Sequence, residues 1–222
     1  MLKKATLFFP NVRLKPSQIH QFRGYIGRLF QEYDIIHNHD FETGRTIYRY
    51  PLVQFKLIDN IPVILAITDN AVRIFSEIML KMDEIVIQNA VIPVYEKNLQ
   101  IENISFGYTT ENIVYTFVSP WLGLNQKNYS SYLKSGNPAK QSDMLKRIVT
   151  GNLLSMSKYL DYHLEIDQRI QTKVDLHETS VNLKGKTMIG FNGFFQTNFM
   201  IPDNLGIGKS VSRGYGTVRR LI

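Results

Sequence analysis

His37 and His39 stand two residues apart in the stretch IIHNHDFETGR. On an extended backbone that spacing puts both imidazoles on one face. Imidazole ordinarily titrates at about 6.5, so it can accept or release a proton near neutrality. Arg28 precedes the pair at the end of an apolar-striped helix, and Tyr48, Tyr50 and Lys56 follow on a strand. A base, several acids and cations are thus available within one helix-loop-strand unit, which suits general acid–base chemistry at a phosphate. Other readings exist for each residue. The histidines could cap a polar loop, or ligate zinc with Asp40, although no third histidine lies nearby in sequence; His20, on the helix itself, is another candidate base. Tyr48 and Tyr50 share a strand face and could donate protons, stack on bases or simply pack. Lys56 reads as a phosphate cation or as a solvated lysine at a strand end.

A second cluster lies near the C-terminus, in GIGKSVSRGYG, residues 206–216. Gly206 and Gly208, then Gly214 and Gly216, bracket five residues that include Lys209, Ser212 and Arg213. Glycine permits positive φ and close backbone approach, so such a loop can turn amide N–H groups toward one point and form an anion nest, helped by Lys209, Arg213 and the hydroxyls of Ser210 and Ser212. The plain alternative is a tight turn before a last strand. The spacing excludes a Walker A loop and a Rossmann fingerprint.

The charge balance agrees with an anionic partner. The 222-residue chain carries a formal net charge of +7, and its last 39 residues hold six cations (Lys184, Lys186, Lys209, Arg213, Arg219, Arg220) against Asp203 alone. A basic surplus of this kind favours polyanions. With 44% hydrophobic and 20% charged residues a folded core is expected. The chain lacks cysteine, which excludes disulfides and thiol catalysis and fits a cytoplasmic setting. No apolar run approaches the length of a membrane helix, and the start reads as a first strand rather than a signal peptide.

The elements that must hold these residues follow from periodicity. ATLFFP reads as a strand; Pro16-Ser17 starts a helix with Ile19, Phe22, Ile26, Leu29 and Phe30 inward and His20, Arg23 and Arg28 off that stripe. TIYRYPLVQFKLID and IPVILAITD form a hairpin through Asp59-Asn60, with Pro51 demanding an edge or a bulge. A helix capped by Asn70 buries Val72, Phe75, Ile78, Met79 and Met82, and EIVIQNAVIPVY returns as strand. The order β-α-β-β-α-β is the ferredoxin-like plan. In the second half, SFGYTTENIVYTFVSP reads as a hairpin turning at residues 110–112. QSDMLKRIVTGNLLSMSKYLDY reads as a helix with Met144, Ile148, Leu153, Met156 and Leu160 inward and Gly151 interrupting it. A long hairpin turns at Lys184-Gly185-Lys186, and YGTVRRLI closes the chain as a strand. The expected fold is α+β, two tandem ferredoxin-like (RRM-like) modules with antiparallel sheets, residues 1–98 and 99–222, the second carrying the glycine-rich loop. Trp121 is expected to pack, and His163 and His177 show no partner pattern.

The glycine stretch resembles the C-terminal loop of the Cas6 family of CRISPR repeat-RNA endoribonucleases, within the repeat-associated mysterious protein superfamily. FRGYIGRLF, HNHD, YRYPLVQFK, GNLLSMSKYL and GFFQTNFMIPDNLGIGKSVSRGYGTV agree most closely with its Cas6b branch, so the likeness spans nearly the whole chain. The resemblance implies a metal-independent cut of precursor RNA by 2′-OH attack, without a cofactor. It favours His39, then His37, as the catalytic imidazole, with Arg28, Tyr48, Tyr50 and Lys56 around it. It assigns Gly206, Gly208, Lys209, Ser212, Arg213, Gly214 and Gly216, with Lys184 and Lys186 at a hairpin tip, to RNA binding. Repeat RNA is the implied partner. A non-catalytic RNA-binding subunit of an effector complex is the alternative, effector subunits and a second copy of the chain are further partners left open, and no membrane is involved.

Overall fold

The computed structural model describes residues 1–30, 50–183 and 185–221, with the backbone alone at residues 70, 74 and 76–79. The chain divides into two compact units. The first comprises Met1–Ile104 and Ser212–Gly214; the second comprises Ser105–Val211 and Tyr215–Ile222.

In the first unit, β1 (Leu2–Phe8) leads to a 3-10 turn at Pro16–Gln18 and then α1 (Ile19–Leu29). β2 (Val53–Ile58) and β3 (Ile61–Ile67) form a hairpin, followed by α2 (Asp69–Lys81). A small separate hairpin, β4 (Glu84–Ile87) with β5 (Ala90–Pro93), precedes β6 (Asn98–Ile104). The antiparallel sheet runs β2-β3-β1-β6, the ferredoxin-like order. Three expectations change here. EIVIQNAVIPVY is not the fourth strand: Gln88 and Asn89, both at positive φ, fold it on itself, and β6 pairs with β1 instead. The boundary therefore falls after Ile104, not residue 98, because β6 completes this sheet. The cap of α2 is Thr68 rather than Asn70. Asp59-Asn60 turns as expected, both residues at positive φ.

Strand alternation splits the sheet into two faces. Ala5, Leu7, Val53, Phe55, Ile64 and Ala66 meet Phe22 and Ile26 of α1 and Phe75 of α2 in one core. Phe22 stands edge-on to Phe9 and Phe55 at ring distances of 5.8 and 5.7 Å. Leu29, expected inward, is instead exposed, and Tyr25 is buried, its hydroxyl donating to the Glu84 carbonyl at 3.1 Å. The opposite face carries Lys4, Thr6, Gln54, Lys56, Val63, Leu65 and Ile67, all buried.

In the second unit, β7 (Gly107–Phe117) is one strand with a register shift between Tyr108 and Ile113. The expected turn at residues 110–112 is absorbed as an irregularity, since none of the three adopts positive φ. α3 (Gln126–Ser135), which periodicity did not single out, begins at Asn125, whose side chain accepts from the Asn128 amide. α4 (Pro138–Tyr159) begins at Asn137, capped the same way. Gly151 does not interrupt α4, and its buried row is Leu145, Val149, Leu153 and Met156; Met144 and Ile148 sit half-buried beside it. β8 (Thr172–Leu183) and β9 (Lys186–Met200) form the long hairpin through Gly185, at positive φ, and β10 (Val218–Arg220) closes the sheet in the order β10-β7-β9-β8. This too is the ferredoxin-like order. One element is replaced: between β9 and β10, where the plan puts a second helix, stands the glycine stretch with a single 3-10 turn at Val211–Arg213. An aromatic ladder fills the core, with Phe117 stacked on Trp121 at 5.6 Å and Tyr115 stacked on Phe195 at 5.4 Å.

Candidate RNA-binding and catalytic residues

His37, His39 and Tyr48 lie outside the described residues, as do Asp40 and Lys184. Of the expected catalytic set, Arg28, Tyr50 and Lys56 are described, all in the first unit. Arg28 is exposed in the last turn of α1, and His20 is exposed in its first. Tyr50 is half-buried just before β2. Lys56 is neither solvated nor at a strand end. It sits within β2, fully buried on the face opposite Phe55, and burial away from water pushes its ammonium down to about 7. Among the described residues no group of three or more His, Asp or Glu is placed to hold a metal.

The glycine stretch is not one feature. Its outer parts belong to the second unit and pack on Trp121, which is fully buried and donates from Nε1 to Asn152 Oδ1 at 3.1 Å. Gly208 (φ 88°) lies so close that a Cβ would stand 2.5 Å from Trp121 Nε1, and a Cβ on Gly216 (φ 62°) would collide with the Ile207 carbonyl oxygen. Positive φ and contact both demand glycine there. Three of the loop's amides are bonded within the unit. Ile207 N–H donates to the Gly216 carbonyl, Lys209 N–H to Leu122 and Gly216 N–H to Pro120, at 2.9, 3.0 and 2.9 Å, while Gly206 bridges Thr217. Those three donors are spent on the fold, which leaves an anion at this loop to the remaining amides and to the side chains.

Two of these side chains sit beside the long hairpin. Lys209 Nζ donates to the Leu124 carbonyl at 2.7 Å, and partial burial lowers its pKa. It lines a groove of about 520 Å³ with Tyr129, Thr187, Met188 and Ile189, the strand that Lys186 begins. Tyr215, between the second pair of glycines, donates its hydroxyl to the Asn182 carbonyl at 3.0 Å, and Asn182 Oδ1 accepts from Gly185 N–H at the hairpin tip. Within the second unit the loop and the hairpin are therefore neighbours.

The middle of the stretch belongs to the first unit. Gly214 rests against β2 and α1: a Cβ there would lie 3.3 Å from the Phe55 carbonyl oxygen and 3.5 Å from Ile19 Cγ1. Arg213, the residue before Gly214, is near enough to act on Arg23 of α1: the guanidinium of Arg23 is held below its ordinary pKa by burial first and by the charge of Arg213 second. Arg23 was legible in the sequence only as a cation off the apolar stripe, four residues after Ile19.

Tandem ferredoxin-like units, with a glycine loop where the second unit would have its second helix, define a Cas6-type architecture. The Cas6b N-terminal domain model matches residues 1–105 and the Cas6b C-terminal domain model residues 107–221, so the chain belongs to the Cas6b family. A solved structure described as Cas6b is 36% identical, covers 99% of both chains and superposes with a TM-score of 0.93. A second, described as a CRISPR RNA processing endoribonuclease Cas6b, is 32% identical over 99% of both chains with a TM-score of 0.80. An uncharacterized protein of Methanocaldococcus jannaschii is 39% identical over 145 residues, 65% of this chain and 97% of that protein. A Cas6 product complex shares the fold at 11% identity, covering 100% of this chain and 99% of that one, TM-score 0.60. Among the described residues no helix is long and apolar enough to cross a membrane.

Proposed function

We propose that this protein is a metal-independent endoribonuclease that cuts CRISPR precursor RNA within its repeats. His39 takes the proton of a ribose 2′-OH, the 2′-oxygen attacks the adjacent phosphorus, the bond to the 5′-oxygen breaks, and His37 returns a proton to that leaving oxygen. The products are a 2′,3′-cyclic phosphate and a 5′-OH. Arg28, Tyr48 and Tyr50 flank this segment in sequence, and a cation and phenolic donors suit the charge that builds on the phosphorane. Lys56, with an ammonium that titrates at about 7 and no exposure, acts from behind the strand rather than as a surface phosphate contact. Arg213, Ser212, Lys209, Lys186 and Lys184 hold the RNA backbone; phosphate contacts of this kind set register.

The observation that carries the reading is the seating of Ser212–Gly214 against α1 and β2. These are the elements on either side of the His37–His39 segment, so a loop with RNA-binding chemistry and the candidate acid–base segment share one unit. Membership of Cas6b supports the substrate. The test is cleavage of the cognate repeat RNA in excess EDTA. Cutting should persist, should stop when the nucleotide 5′ of the cut is 2′-deoxy, and should fall by about 10²–10⁴-fold in His39→Ala with binding retained. EDTA-resistant binding without any cleavage would instead make the chain a non-catalytic RNA-binding subunit.

A further inference from the structure

We infer that Arg23 and Arg213 close on a single RNA phosphate, and that the ribose-phosphate chain crosses α1 over Gly24. This rests on the reading of the protein as a repeat-RNA binder and adds to it a contact on α1.

Three observations lead there. First, Arg23 follows Ile19 by one helical turn, and Ile19 is the α1 residue against which Gly214 sits. The fold thereby brings Arg213, next to Gly214, close enough to α1 for its charge to act on Arg23, and like charges so placed repel unless an anion lies between them. Second, the Nε of Arg23 is buried and has no hydrogen-bond partner among the described residues. A buried donor without an acceptor is costly, and a phosphate oxygen is the acceptor that a guanidinium fork fits best. The depressed pKa of Arg23, from burial and from Arg213, agrees with a cation awaiting its counter-ion. Third, Gly24 is exposed in the interior of α1, and a Cβ there would meet nothing within 4 Å. Glycine weakens a helix interior, and no packing reason for it exists in the described residues. A bare helix surface beside Arg23 lets a sugar-phosphate chain approach the backbone closely.

The test uses the full-length protein and its repeat RNA made uncleavable by a 2′-deoxy nucleotide at the cut, in EDTA. Arg23→Ala and Arg213→Ala should each weaken binding roughly tenfold or more. Because one phosphate is shared, the double variant should lose less than the product of the two and should lower the slope of log Kd against log salt by only about 0.7–0.9 relative to the unaltered protein. Arg23→Lys should restore the slope without restoring full affinity. Gly24→Leu should leave the thermal midpoint unchanged or higher, yet weaken RNA binding at least tenfold, a split that a merely structural role would not produce. Unchanged affinity in Arg23→Ala or in Gly24→Leu overturns the clamp, and so do two independent, multiplicative losses. If the unaltered protein binds no repeat RNA, the function itself falls, and the clamp with it; insensitivity at Arg23 and Gly24 alone removes only the clamp.

Discussion

The outer parts of residues 206–216 and their middle differ in what surrounds them. Gly208 and Gly216 press against the buried Trp121 ring and the Ile207 carbonyl, with neighbouring amides bonded to carbonyls of the same unit. Ser212–Gly214, only a few residues away, bring Arg213 up to another arginine. The difference separates two jobs that one glycine-rich motif announces together. The repeated glycines hold a loop in the place of a helix, and the short basic insert between them presents charge. Fold constraint and the proposed RNA contacts alternate residue by residue here, so substitutions should separate them cleanly.

Substitution of the flanks should have the largest effect on stability. Gly216→Ala puts a Cβ into a carbonyl oxygen at positive φ and should cost about 3 kcal/mol or more in chemical denaturation. Gly214→Ala, with 3.3 Å to the Phe55 carbonyl oxygen, should cost about 1–2 kcal/mol; equal losses at both sites would erase the contrast. Next comes the strand that receives the middle segment. Below pH 7 Lys56 is charged in both folded and unfolded chains, so the net cost of burying the ammonium does not vary with pH there. As pH rises above 7 the folded chain sheds that proton while the unfolded chain keeps it until about 10.4, and stability rises. Between pH 6 and pH 9 the unaltered protein should therefore gain roughly 2–3 kcal/mol relative to Lys56→Met, measured by denaturant midpoints of both at the two pH values. A flat difference would mean that the ammonium is stabilised in place. Asn152→Ala, which strips the Trp121 Nε1 of its acceptor, should cost about 1–2 kcal/mol and leave RNA affinity alone. Lys186→Ala should be the smallest: within about 0.5 kcal/mol in stability and a few-fold in RNA affinity, with the salt slope lowered.

How much of this was legible beforehand depended on which physical rule was local. The strands β1 to β3, the stripe of α1 apart from Leu29, and the Asp59-Asn60 turn are short-range patterns, and they read correctly. The Gln88-Asn89 turn escaped because glutamine, unlike the Asp of Asp59-Asn60, is not a residue that marks a turn, so two short strands looked like one. β6, with the burial pattern of a mostly exposed edge strand, has little apolar periodicity to read. For Lys56, alternation predicts the face opposite Phe55 but not that this face is buried too. The glycine stretch announced close approach without saying whether the neighbour is a ligand or Trp121. Arg23 shows the same limit: its place off the stripe was visible, but its meeting with a residue 190 positions later is a property of the folded chain.

The single tryptophan brings a practical benefit. Trp121 is wholly buried in the second unit, stacked on Phe117 and touched by the loop glycines, while the first unit has no indole at all. Selectively excited fluorescence therefore reports one half of the molecule and is silent about the other. Compared with far-ultraviolet dichroism, which sees both, a single emission trace can tell whether the halves melt together or in turn.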